Sequence, residues 1–502
     1  MVRRMNQFVR ALGFGTALIL SAVNGWADEK TGEVPKAWDD EALAGWQVPL
    51  AGAAQPRLLT PQEFYRLPEL KIYKSYPAYA PGREPAGYMD RLRNAEPEVV
   101  FDPRQIKSDA DWIRAGEMVF DAPVRVSAID GPAYFTDATW FRDHHVPVAS
   151  NGTVPFYSYI VREKGKIEIG TISCGNCHTR VLEDGTVVKG AQGNFPRSQA
   201  NLYMMRVLRP SVGDVVGLNT LRSVLLHDYG TPWLRDDLDR QFDHMSLDDI
   251  LNGFDEPAGV MPCHDSSLFS PVQVPDLIGV RKRKYLDHTG HMLHRNIGDL
   301  MRFSVHVQGN TVAGFGEYKL PAPIPEFEFE QRMSDAQLYA LARYLYSLQP
   351  PPNPNTPSHL SIVGEQIFKR EGCGNCHTQP LYTNNTLTPA NGFVPPPEHL
   401  KKYAITRINV GTDSTLALRT RKATGYYKVP SLKGVWLRGP FEHNGSVATL
   451  EDWFDPARLH DDYVPTGFRG FGLKTRAVKG HEFGLSLLPQ EKKALIAFLR
   501  TL

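Results

Sequence analysis

Two pentapeptides of the 502-residue chain are identical: Cys174-Gly175-Asn176-Cys177-His178 and Cys373-Gly374-Asn375-Cys376-His377. Each sets two thiols three positions apart and follows the second with an imidazole. On one turn of helix those thiols share a side, so they can add across the two vinyl groups of a haem. The adjacent imidazole then faces the iron as its proximal ligand. A bare C-x-x-C also suits a redox dithiol or half of a zinc site, but the histidine directly after each pair makes both readings poor. The expectation is two covalently bound haem c groups, held by Cys174, Cys177 and His178 and by Cys373, Cys376 and His377, with His178 and His377 as metal ligands. The fifth cysteine, Cys263, lies in Met261-Pro262-Cys263-His264 and reads as a partly buried thiol.

Electron transfer favours a fixed sixth ligand on a haem iron, and catalysis an open or displaceable one. The last of the eleven methionines is Met333, so the second site has no methionine after it in the chain. His359, His399, His443, His460 and His481 remain there as nitrogen donors. His481 sits between Gly480 and Gly484, where glycine lets backbone approach a flat cofactor closely. His443 has a counterpart, His288, in a repeated segment, which favours a role near each haem as ligand, propionate partner or turn residue. The first site is offered His227, His244 and His264, then His288, His291, His294 and Met301. The spacing of His288, His291 and His294 predicts one helical face, suited to metal or to haem propionates.

The elements that must position these groups are duplicated. Val274–Gly290 (VPDLIGVRKRKYLDHTG) aligns without a gap to Val429–Gly445 (VPSLKGVWLRGPFEHNG), with eight of 17 positions identical. Gly116-Glu117-Met118-Val119-Phe120 matches Gly364-Glu365-Gln366-Ile367-Phe368. Each copy closes on an apolar stripe of helical period, Met333–Leu348 and Leu487–Leu502. The haem histidines are displaced by 199 residues and the later matches by 155 and 154, so the first copy is longer around its C-x-x-C-H. One insertion holds Val154–Ile172, read as a hairpin turning at Glu163–Lys166. The fold class expected is mainly α: two tandem class I cytochrome c-like domains, the first enlarged by insertions with short β-strands. The expected organisation is a signal peptide at 1–27, an N-terminal arm at 28–111, the enlarged haem 1 domain at 112–349, a Pro-rich linker at 350–357 and the compact haem 2 domain at 358–502.

Composition excludes other classes. Lys+Arg is 56 and Asp+Glu 55, so no electrostatic footprint marks a nucleic-acid partner. Arg3, Arg4 and Arg10, the apolar stretch Leu12–Val23 and Gly25-Trp26-Ala27 read as a secretory signal cut after Ala27. Its core is too short for a membrane span. The expected location is periplasmic or secreted, with no membrane span after signal cleavage.

These tandem haem domains, with His443–Trp453 (HNGSVATLEDW) after Val-Pro-Ser-Leu-Lys-Gly-Val, resemble the bacterial dihaem cytochrome c peroxidase/MauG superfamily. Gly480–Gly484 (GHEFG) and the enlarged first domain are more similar to its RoxA-type, rubber-oxygenase-like branch. The peroxidases use a methionine one helix after the His-x-Gly segment; here that stretch is Asp455-Pro456-Ala457-Arg458. The RoxA-type branch implies two histidines on haem 2, and His481 matches that role. The resemblance implies an oxidoreductase in which haem 1 activates peroxide or dioxygen and haem 2 relays electrons. His178 and His288 are then the candidate catalytic residues, His443 and His481 further cofactor contacts, and His481 a third metal ligand. Expected partners are a small-molecule oxidant, an organic substrate and a redox protein. A non-catalytic periplasmic electron carrier is the alternative, with a haem-based sensor third. The long insertions favour catalysis, because a carrier has no need of a built pocket.

Overall fold

The computed structural model describes residues 33–502 except 53, 129–132, 236, 264, 308–310 and 322–330. The expected signal peptide and His264 lie outside the described residues. Helix Asp109–Asp121 starts at Ser108, whose side chain and that of Asp111 close a capping box. It crosses helix Asp335–Ser347, while His359–Arg370 crosses Pro489–Arg500. The repeated glycines make both crossings. A Cβ on Gly116 would strike the Ala340 carbonyl and Tyr344 Cβ, and one on Gly364 would strike the Ala494 carbonyl and Phe498 Cβ. Gly364→Ala should therefore cost about 3 kcal/mol, the upper end of overpacking, because backbone is the obstacle. A thermal melt followed by helical circular dichroism checks this; an unchanged midpoint contradicts the crossing.

The two helix pairs carry the two C-x-x-C-H turns. In the first, a Cβ on Gly175 would lie 3.5 Å from the Phe120 ring. In the second, Phe368 packs on Tyr382 and Phe498. The repeated Val-Pro segments then bind each other reciprocally. The Gln273 amide donates to the His443 carbonyl at 2.8 Å, and the Lys428 amide donates to the His288 carbonyl at 2.9 Å. Each of these amides precedes its own Val-Pro step, so the sequence repeat becomes a two-sided contact.

The architecture is mixed rather than mainly α. A four-stranded antiparallel sheet runs Ser75–Tyr79, Thr153–Glu163, Lys166–Ile172, Arg125–Ala128. Its central hairpin turns where expected, with Glu163 opposite Lys166. Phe156, Tyr157, Tyr159 and Ile169 bury their side chains with Tyr134, Trp140 and Phe195. This core backs the first C-x-x-C-H turn, where Asn176 Nδ2 donates to the Phe156 carbonyl at 2.8 Å.

Strands also occur outside the expected insertion. Pro56–Leu58 pairs with Val312–Phe315, and Leu387–Pro389 with Tyr426–Lys428. The residues expected as an arm are thus woven into the sheets, and Trp38 and Trp46 are fully buried. Nor do His288, His291 and His294 share a helical face. Asp287 accepts from the Met292 amide and the Thr289 hydroxyl, closing a loop from Leu286 to Met292. Short side-chain acceptors compete with the helical ladder in this way.

Candidate functional site

Cys174, Cys177 and His178 line a cavity of about 640 Å³. His178 Nδ1 lies 3.0 Å from the Pro275 carbonyl, to which it donates. That carbonyl belongs to the repeated Val-Pro step, so the repeat orients the histidine, as outer partners of metal-bound histidines do. Burial, opposed by that hydrogen bond, pushes the imidazole down to about 4. At neutral pH the ring is uncharged, the form that binds metal. The walls are mostly apolar, with Leu300, Phe303, Val312 and Leu320 among them. Polar groups also reach the cavity: Asp287, His227, and Lys422, whose Nζ lies 3.8 Å from Cys263 Sγ. Cys263, expected as a partly buried thiol, is thus a wall residue beside a lysine. Met261 lines the cavity too, but its Sδ is 3.6 Å from Cys177 Sγ, beside the attachment thiol.

Cys373, Cys376 and His377 line a second cavity of about 270 Å³. His377 Nδ1 lies 3.1 Å from the Tyr382 carbonyl, and burial followed by His481 pushes it down to about 4. The ring of His481 faces it at a centroid distance of 6.3 Å and an angle of 56°. Two imidazoles on opposite sides of one metal ion, each about 2 Å from it, stand roughly 6 Å apart centre to centre. His481 Nδ1 is buried without a hydrogen-bond partner, and burial lowers its pKa.

The loop carrying His481 is pinned by Arg458, which is 2% exposed and whose Nε is anchored on the Trp453 carbonyl at 3.0 Å. Arg458 donates to the carbonyls of Val478 at 2.5 Å, Gly480 at 2.9 Å and His481 at 3.0 Å. His481 itself has φ +49°, a left-handed conformation that costs a non-glycine residue about 1–3 kcal/mol and clusters at functional sites. Gly480 does not serve to admit a flat cofactor, as expected from sequence. It lies against the backbone of Gly411 and Thr412, leaving no room for a Cβ.

His443 lines this cavity, but both its ring nitrogens are engaged. Nδ1 is 2.5 Å from Glu442 Oε2, and Nε2 is 3.3 Å from the Tyr427 hydroxyl. Burial opposes charge, yet the Glu442 carboxylate raises the histidine's pKa. His460 does not line the cavity.

Between the two sites lies a cavity of about 60 Å³. The repeat-related Arg283 and Arg438 both reach it and pair with Asp276 at 2.8 and 3.3 Å. Lys428, pushed down to about 7 by burial and then by Arg283, is there as well. His288 lines all three cavities, with Nε2 2.6 Å from the Gln273 carbonyl. It is placed between the two sites rather than at the first alone. Trp436 packs with Val188, Ala191 and Leu437.

A covalently bound haem c fits each donor set: two thiols and a carbonyl-fixed neutral imidazole border a cavity of ligand size. The guanidiniums between the cavities suit propionate carboxylates. Sequence reasoning missed Arg458, Lys422 and the Pro275 carbonyl.

No family model matches the chain. The uncharacterised protein y4iJ of Sinorhizobium fredii is 36% identical over 106 residues, covering 15% of this chain and 18% of that protein. The chain thus spans about a fifth of the length of that curated relative. Hydrazine synthase of Kuenenia stuttgartiensis, in a structure pressurised with xenon, gives a TM-score of 0.31 at 14% identity. A MauG-like protein associated with microbial copper homeostasis gives 0.30 at 16% identity. Each comparison covers 57% of this chain and 87% of the other. Among the described residues no helix is long and apolar enough to cross a membrane.

Proposed function

We propose that the chain is an exported dihaem c-type oxidoreductase, with haem 1 at Cys174, Cys177 and His178 and haem 2 at Cys373, Cys376 and His377. The observation that carries this reading is the contrast between the two cavities. The second holds a further imidazole, that of His481, 6.3 Å from its attachment histidine, ring centre to ring centre. The first is larger, largely apolar, and enlarged by chain that the second copy lacks. Residues 112–349 and 358–502 are the two haem domains in this reading. A histidine facing His377, where the peroxidases use a methionine, supports a likeness to the RoxA-type branch.

A haem held by Cys174, Cys177 and His178 would supply binding and reduction of a small oxidant, peroxide or dioxygen. Pro275 and Tyr382 hold the two attachment imidazoles in one tautomer. Arg458 keeps His481 aimed at His377, so the second site has a fixed geometry suited to electron transfer. The apolar walls of the first cavity exclude water from the oxidant and admit an apolar organic substrate. His288, between the cavities, holds the Val-Pro segment of the other copy through its carbonyl.

Cyanide titration of the resting protein tests the reading. The His178 haem should bind cyanide and the His377 haem should not, read by optical and electron paramagnetic resonance spectra. If neither haem binds an added ligand in any redox state, the chain is an electron carrier.

A further inference from the structure

One cation between the two sites has no carboxylate of its own. Lys428 ends strand Tyr426–Lys428, directly before the second copy's Val-Pro step, and its side chain reaches across to the first copy. Nζ donates to the carbonyls of Leu286 at 3.0 Å and Tyr285 at 3.4 Å, and makes no ion pair among the described residues. The neighbouring guanidiniums are placed differently. Arg283 and Arg438 divide the carboxylate oxygens of Asp276 between them, at 2.8 and 3.3 Å. Lys428 lines the second cavity and the small cavity between the sites, and not the first.

A buried ammonium held only by neutral carbonyls is costly, whereas the uncharged amine can donate to the same two oxygens. Burial, then Arg283 and more weakly Lys422, works against the charge, while Asp287 and Asp276 favour it. Lys428 in turn helps burial keep His288 neutral. From the second copy, Arg438 borders the small cavity, and the Glu442–His443 ion pair borders the second. The balance holds the amine at about 7. Half-buried Asn385 and Ser431 also line the small cavity, whose volume of about 60 Å³ has room for water, so protons can reach Nζ from solvent.

We propose that Lys428 is the redox-linked proton acceptor of the second site: it takes up one proton when that site gains one electron and releases it when the electron leaves. The electron comes from an external reductant, a redox protein or a chemical donor, and the proton from solvent. Nζ passes from amine to ammonium and no other bond changes. The added negative charge gives the ammonium the counter-charge it otherwise lacks, and proton and electron binding are thereby linked. Each electron waiting at the second site thus brings a proton with it, and reduction of peroxide to water consumes the two one for one. The inference rests on the reading of haem 2 at Cys373, Cys376 and His377.

The test is the reduction potential of the His377 haem, by spectroelectrochemistry on either side of neutral pH, for wild type, Lys428→Arg and Lys428→Met. In wild type the potential should fall as pH rises, by up to about 59 mV for each tenfold loss of protons, the value for one proton per electron. Arginine stays charged at every pH used, so that variant should be flat near the wild-type acid value. Methionine carries no charge and should be flat near the wild-type alkaline value. A merely structural residue would not send the two variants in opposite directions. A flat wild-type potential overturns the assignment, and so does a wild-type slope kept by both variants. Proton uptake on reduction of wild type, read with an indicator dye in weakly buffered solution, needs no variant to fold: uptake of up to one proton per electron is expected, and none overturns the assignment. If wild type attaches no haem at Cys373 and Cys376, it is the proposed function that fails, and this inference with it.

Discussion

His481→Ala should convert the second iron from low spin to high spin with the haem content unchanged. The expectation follows from three placements. The His481 ring faces that of His377 at 6.3 Å; its backbone carbonyl is held by Arg458; and its left-handed conformation stores strain that a passive loop residue would not need. Removing the imidazole leaves the Arg458 clamp intact, because the clamp grips carbonyls and not the side chain. The iron loses one axial nitrogen and the fold loses little. The variant should also bind cyanide at both haems, where wild type binds it at one. His443→Ala is the control. Its ring is spent on Glu442 and Tyr427, so its loss should leave the spin state alone. If His443→Ala gives the high-spin signal and His481→Ala does not, the repeated histidine is the ligand.

Replacing Cys174 and Cys177 together by alanine should remove one of two haems and all cyanide binding. The low-spin signal of the other haem should remain, since His377 and His481 line the second cavity and not the first. The reciprocal pair, Cys373→Ala with Cys376→Ala, should remove that low-spin signal and keep the ligand-binding haem. The second loss should also destabilise its own copy. Phe368, Leu495 and Leu499 line the second cavity and would face a void where the cofactor had packed. Haem content, spectra and thermal midpoints of the two double variants check these expectations. Loss of both haems in either variant would show that the sites are not independent.

What could be read from sequence was the chemistry that is local in the chain. Two thiols and an imidazole on one turn carry their meaning in five residues. The repeated Val-Pro and Gly-Glu segments show in self-comparison because the same contact is made twice. Helices Asp335–Ser347 and Pro489–Arg500 fell inside the stripes that predicted them. The absence of methionine left five histidines open and the resemblance singled out His481, which the structure sets opposite His377, while Gly480 is required by the backbone of Gly411 and Thr412 rather than by a cofactor.

What could not be read was long-range. Arg458 acts on backbone carbonyls, which leave no residue pattern to match. Strand Pro56–Leu58 meets Val312–Phe315 across most of the first copy, and three residues are too few for alternation to register. The His288–His294 spacing suggested a helix, but Asp287 and Thr289 offered closer hydrogen bonds than the helical ladder. Helix Asp214–Asp228 carries an apolar pair at Leu225 and Leu226. Leu225 is buried and Leu226 is 39% exposed, because one face of that helix meets solvent.

The intact mass of the purified protein under denaturing conditions tests the central claim most directly. Covalent haem c survives unfolding, whereas zinc or a loosely bound cofactor does not. The account predicts a polypeptide carrying two haem additions, localised by proteolysis to the peptides containing Cys174–His178 and Cys373–His377. A mass with one haem, with none, or with the cysteines joined in disulfides would contradict it.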